Sequence, residues 1–181
     1  MKLTISPALP SLSRIHPAKR TPLRVGLVQM HWQADQVTHL ETLAEGIAQA
    51  ADAGAKIVFL PELTLSRYMA DTLPTGTPND LAEDLATGPT VSFAAEQAKK
   101  HGIHIHASLY EFQPMADGRG LNVAVIVGPD GHVVARTPKL HIPITAGYYE
   151  DKYFAPGPAD GEPYPTYELN FAGTPATLGL P

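Results

Sequence analysis

Cysteine is absent from all 181 residues. That excludes a disulfide framework, a thiolate metal site and a cysteine nucleophile within this stretch of chain. No apolar run approaches the ~20 residues of a membrane span. Excess positive charge is missing too. Thirteen Lys and Arg stand against 18 Asp and Glu, a net charge of -5, so nucleic acid has no general attraction for the chain. Charged residues make up 17% and apolar residues 44%, the balance of a soluble globular domain rather than a disordered segment. There is no internal repeat and no low-complexity tract.

Proline, by contrast, is plentiful, with 18 residues unevenly placed. Pro7, Pro10, Pro17 and Pro22 mark residues 1–22 as a flexible or surface-draped N-terminal arm. This arm has no acidic residue and no continuous apolar core, so it does not read as a secretory signal. Its basic, Ser-containing make-up faintly resembles an organelle transit peptide, but the expected location is the cytoplasm. Residues 23–181 form the expected single domain.

"LRVGLVQM" (23–30) reads as a first buried strand. Asp35 to Ala53 reads as a helix, because Leu40, Leu43, Ala44, Ile47 and Ala50 share one face and Gly54 follows as a stop. "KIVFL" (56–60) is the second strand, completing a βαβ unit with parallel pairing. Residues 69–87 read as a long loop with a short helix near Asp80 to Leu85. Pro89 opens a helix that Gly102 closes. Strands follow at 103–112, 121–128 and 133–136, the last two joined by the tight turn "PDGH". From Thr137 to Pro165 the chain reads as irregular and rich in Tyr and Pro. "TYELNF" and "ATLGL" are two last short strands. The class is α/β around a mixed sheet, with helices on one face or both.

Three segments set polar groups beside apolar structure. Glu62 follows the second strand, at the carboxyl edge where open α/β sheets bind ligands. Lys139 follows a strand in "ARTPKLHIP". Glu150 lies in "GYYEDKYFAPG". By spacing alone, Glu62 and Lys139 fit a structural ion pair as well as a catalytic one.

These same stretches resemble a known family. "RVGLVQM", "GAKIVFLPEL", "LNVAVIVGPDGHVVARTPKLHIP" and "GYYEDKYFAPG" occur in the order found in nitrilase-superfamily carbon–nitrogen hydrolases, over roughly residues 23–181. The likeness is greatest to the N-carbamoylputrescine amidase and β-ureidopropionase branch. The resemblance implies the N-terminal portion of a four-layer αββα sandwich. It implies a Glu-Lys-Cys triad, with Glu62 as general base, Lys139 as oxyanion stabiliser and Glu150 in support. It implies a small-molecule linear amide or N-carbamoyl amine as substrate, no cofactor or metal, and a homo-oligomer. Nitrilase and aliphatic amidase remain open within this reading.

The family cysteine is expected just beyond Pro181, so the 181 residues read as an incomplete domain that cannot perform the thiol chemistry alone. The alternative is a non-catalytic scaffold or binding protein.

Other residues carry two readings each. His104 and His106 share one strand face, which fits half a metal site, but no third ligand is evident and ordinary strand histidines are expected. Glu111 ends the same strand and fits a substrate contact, a buttress of the site or a strand cap. His141, Tyr148 and Tyr149 are candidates for substrate binding. Tyr148, Tyr149, Tyr153 and Phe154 fit pocket lining, loop packing or a subunit contact alike. Asn122 fits an ordering role in the loop after Glu111.

Overall fold

The computed structural model describes residues 1–7, 21–157 and 162–180. Residues 8–20, most of the expected N-terminal arm, lie outside the described residues. Strand β1 (Val25–Leu27) leads to helix α1 (Gln36–Asp52) and strand β2 (Ile57–Phe59). Helix α2 (Pro89–His101) then precedes β3 (His104–Glu111), β4 (Leu121–Val127) and β5 (Val133–Pro138). A single helical turn, α3 (Glu150–Tyr153), and a hairpin of β6 (Thr166–Phe171) and β7 (Thr174–Gly179) complete the order.

Both long helices start and stop where their residues dictate. The Asp35 carboxylate accepts from the Thr38 amide at 2.8 Å and caps α1. Pro89 sits in the first turn of α2, and Gly102 ends it at φ 63°, a left-handed position. The expected short helix near residues 80–85 is instead two 3₁₀ turns, Met69–Asp71 and Pro78–Leu81. Proline at 78 and the punctuating Gly and Pro residues around it leave no room for a longer run.

Strands β1 to β5 form one sheet in chain order. β1, β2 and β3 run parallel, whereas β3, β4 and β5 form an antiparallel meander. Each parallel step is crossed by a helix, so α1 and α2 pack together on one face. Leu43, Ile47, Val58, Ala94, Ile105, Leu109, Val123 and Val125 fill that layer. The opposite face packs Ile57, Ile126 and Ala135 against Phe171 and Leu180 of the hairpin segment. The layer order is therefore helix, sheet, sheet, in keeping with the expected α/β class.

One expectation needs correction. The first strand is not buried. It is a three-residue edge strand, and Leu27 is 78% exposed. Alternation sends Gly26 and Val28 to the helical side, while Val25 and Leu27 lie on the other face, beyond the reach of the hairpin.

Candidate active site

The site grows from a break in the β2–β3 pairing. Leu60 N–H donates to His106 O, and Thr64 N–H donates to Ser108 O. The chain takes four steps from Leu60 to Thr64 while β3 takes two from His106 to Ser108. The excess loops out, and Glu62 sits at its crest with an exposed side chain (51%). Leu63 then turns back at φ 49°, a conformation uncommon for a non-glycine residue. Thr64 stitches the return, since its hydroxyl donates to Pro61 O and accepts from Ser108 N–H. His39 of α1 closes the loop from behind, with Nε2 2.9 Å from Thr64 O.

Lys139 follows β5 and reaches the same point. Its backbone N–H donates to Asn122 O, which extends the β4–β5 ladder by one bond. Its ammonium lies 3.3 Å from Glu62 Oε1 and 2.8 Å from Glu150 Oε2. The Glu150 carboxylate is buried, and Tyr68 Oη donates to its other oxygen at 2.7 Å. Asn122 Nδ2 donates to Glu62 Oε1 at 2.7 Å. Three carboxylate and ammonium groups distant in sequence thus form one cluster at the carboxyl end of a parallel strand.

Burial alone would lower the Lys139 pKa, but the hydrogen bond it donates to Glu150 and the charges of Glu62 and Glu150 outweigh it, so the net shift is upward. Lys139 is a fixed cation. Burial and the Glu150 hydrogen bond push the Tyr68 phenol well above its ordinary range, so it remains a donor. The cluster offers a carboxylate with one oxygen engaged and a stationary positive charge beside it. Those are the parts of a general base and an oxyanion site. Among the described residues no group of three metal-ligating side chains occurs.

The other candidates are placed as follows. Tyr148 is exposed, with its ring centroid 6.1 Å from that of Tyr68, at the rim of the cluster. Tyr149 donates its backbone N–H to Ala70 O and leads into α3. His141 is exposed on the same irregular segment. Phe154 is fully buried and stacks edge-on against Tyr110 at 4.9 Å, so loop packing is its part. Glu111 is not brought to the cluster. It pairs with Arg136 at 2.5 Å and accepts from Gln113 at 3.0 Å. Its strand partner is Leu121, a member of the helical-side core, whereas Asn122 points to the other face.

Tyr68 carried no sequence signal beyond standing six residues after Glu62. Asn122 did carry one, as the lone amide in the apolar run of β4. It serves Glu62 rather than the loop after Glu111. A groove of about 570 Å³ lies nearby, lined by Arg67, Met69, Leu73, Thr77, Asp80 and Tyr153 among others. None of Glu62, Lys139 or Glu150 lines it.

The carbon-nitrogen hydrolase family model matches residues 24–180. A citrullinase of Francisella tularensis is 33% identical over 138 residues, covering 76% of this chain and 46% of its own. The omega-amidase NIT2 of Homo sapiens is 30% identical over 143 residues, covering 76% and 49%. The crystal structure of a carbon-nitrogen hydrolase from Helicobacter pylori G27 matches with a TM-score of 0.65 at 28% identity, covering 76% of this chain and 45% of that one. The chain spans about half the length of the curated relatives it matches.

Proposed function

Since this chain belongs to the carbon–nitrogen hydrolases of the nitrilase superfamily, we propose that the whole protein hydrolyses a linear amide or an N-carbamoyl amine. The observation that carries this reading is Lys139 held between two carboxylates, 3.3 Å from Glu62 and 2.8 Å from Glu150. Glu62 acts as general base. Lys139 stabilises the oxyanion, and Glu150 holds the lysine in place. The nucleophile is a cysteine thiol from residues outside this sequence, which itself holds no cysteine.

Glu62 takes the thiol proton as sulfur attacks the carbonyl carbon. Negative charge gathers on the carbonyl oxygen beside Lys139. The C–N bond breaks, and Glu62 returns the proton to the departing ammonia. Water, deprotonated by Glu62, then attacks the acyl carbon, and Glu62 passes that proton to the sulfur as the C–S bond breaks. A carbamoyl substrate yields a carbamic acid that breaks down to amine and carbon dioxide. The names of the citrullinase and the omega-amidase support these two substrate classes. We assign His141, Tyr148 and Tyr149 to the substrate's far end, and a cytoplasmic homo-oligomer is the assembly proposed.

The test is intact mass under denaturing conditions, followed by ammonia release. The expected result is a mass above 19.4 kDa and turnover lost in Glu62→Gln and Lys139→Met. Turnover by the 181-residue chain alone, abolished by Glu62→Ala, would overturn the imported thiol. A mass equal to this chain with no turnover would favour a non-catalytic scaffold.

A further inference from the structure

We infer that Ser108 and Asn122 are positioning residues that aim Glu62 and decide which of its two oxygens is the base, an inference that rests on the proposed role of Glu62. Both are buried, at 5% and 4% exposure, beneath a carboxylate that is itself exposed. Ser108 Oγ accepts the Leu63 N–H at 3.1 Å. The same hydroxyl donates to Asn122 Oδ1 over a longer 3.4 Å. Asn122 Nδ2 then donates to Glu62 Oε1 at 2.7 Å.

Donor and acceptor roles close in one sense only. An ionised carboxylate accepts and cannot donate, so the amide must turn its NH₂ toward Glu62. The amide oxygen then faces Ser108, whose proton is free to point there because its oxygen receives the Leu63 N–H. The chain of three bonds begins and ends on consecutive residues, Leu63 and Glu62. It fixes both the backbone turn and the side chain that the turn presents.

Leu63 explains why such a device is needed. A left-handed leucine is strained and persists only where the surroundings over-determine it. The Ser108 oxygen supplies part of that constraint at the Leu63 amide itself, and Thr64 supplies the rest one residue later. If the turn relaxed, Glu62 would swing off the loop crest. Asn122 and Lys139 both hold Oε1, so Oε2 is the oxygen left to take a proton.

Two measurements test this. The first is amide hydrogen exchange on the whole protein. Ser108→Ala should speed exchange at Leu63 at least tenfold, while Ser108→Thr, which keeps the hydroxyl, should restore protection. Equal protection of Leu63 in Ser108→Ala and the parent would overturn the inference. The second is kinetics of the whole protein. Asn122→Ala should lower kcat about 100-fold with KM little changed, as expected for a misplaced reacting group. Asn122→Asp should move the acid limb of the pH–rate profile upward, because two touching carboxylates resist joint ionisation. An Asn122→Asp profile that superposes on the parent would overturn it. A parent protein with no turnover at all would sink the proposed function instead, and the exchange result would then decide the seating of Glu62 by itself.

Discussion

Lys139 lies nearer to Glu150 than to Glu62, 2.8 Å against 3.3 Å. Glu150 is also the buried partner, and Tyr68 holds its second oxygen. The lysine is therefore seated by Glu150 and merely reached by Glu62. Glu150→Gln keeps the shape and removes the charge that anchors the ammonium. Ammonia release by the whole protein should fall about 100-fold, mostly in kcat. Tyr68→Phe should have a weaker effect of the same kind. Steady-state kinetics checks both, and an unchanged kcat in Glu150→Gln would contradict this seating.

Acid should loosen the face that carries the hairpin. Among the described residues, both ring nitrogens of His106 are buried without a hydrogen-bond partner, and burial pushes the imidazole down to about 4. A histidine in the unfolded chain takes its proton near 6.5. Between those values the unfolded state holds more protons, so stability is full above 6.5 and falls as the pH drops toward 4. The gap corresponds to about 3 kcal/mol. Urea unfolding at pH 7.5, 5.5 and 4 should show this slope, and His106→Phe should flatten it.

The Glu111–Arg136 pair should behave as a structural pin. Arg136→Met leaves a carboxylate with 7% side-chain exposure facing no cation and should destabilise the fold by about 3 kcal/mol. Glu111→Leu combined with Arg136→Met should recover most of that loss. A double-mutant cycle with no coupling would contradict the assignment.

Gly26 marks a close approach of α1 to the sheet. A Cβ there would stand 2.7 Å from Ala50 Cβ and 3.1 Å from Val58 Cγ2. Gly26→Ala should cost about 1–3 kcal/mol by overpacking. Adding Ala50→Gly should cost less than the sum of the two single changes, which thermal melts can resolve.

Much of this was legible in the residues. Helix α1 was readable from its apolar spacing, and α2 from Pro89 and Gly102. Three apolar runs marked β3, β4 and β5, the last two joined by a tight turn. What escaped depended on pairing. Glu111 and Asn122 flank one connection, and only the register of β3 on β4 reveals that they face opposite sides. The exposure of β1 depends on how far the hairpin extends across the sheet, a tertiary fact without a local signal. Glu62, Lys139 and Glu150 stand out as polar groups at apolar ends, but spacing alone does not bring them together. Tyr68 and Ser108 belong to runs in which nothing marks them apart.

The mixed sheet also implies an order of assembly. β3, β4 and β5 pair with their immediate neighbours in sequence, so their loops close cheaply. That meander brings Asn122 and Lys139 together early. β2 must wait for a crossover through the long 60–88 segment and α2 before it docks on β3. Glu62 thus arrives after Asn122 and Lys139, at a socket those two already form. In pulse-labelled hydrogen exchange during refolding, β4 amides should become protected before those of Leu60 and Thr64, and simultaneous protection would contradict that sequence of events.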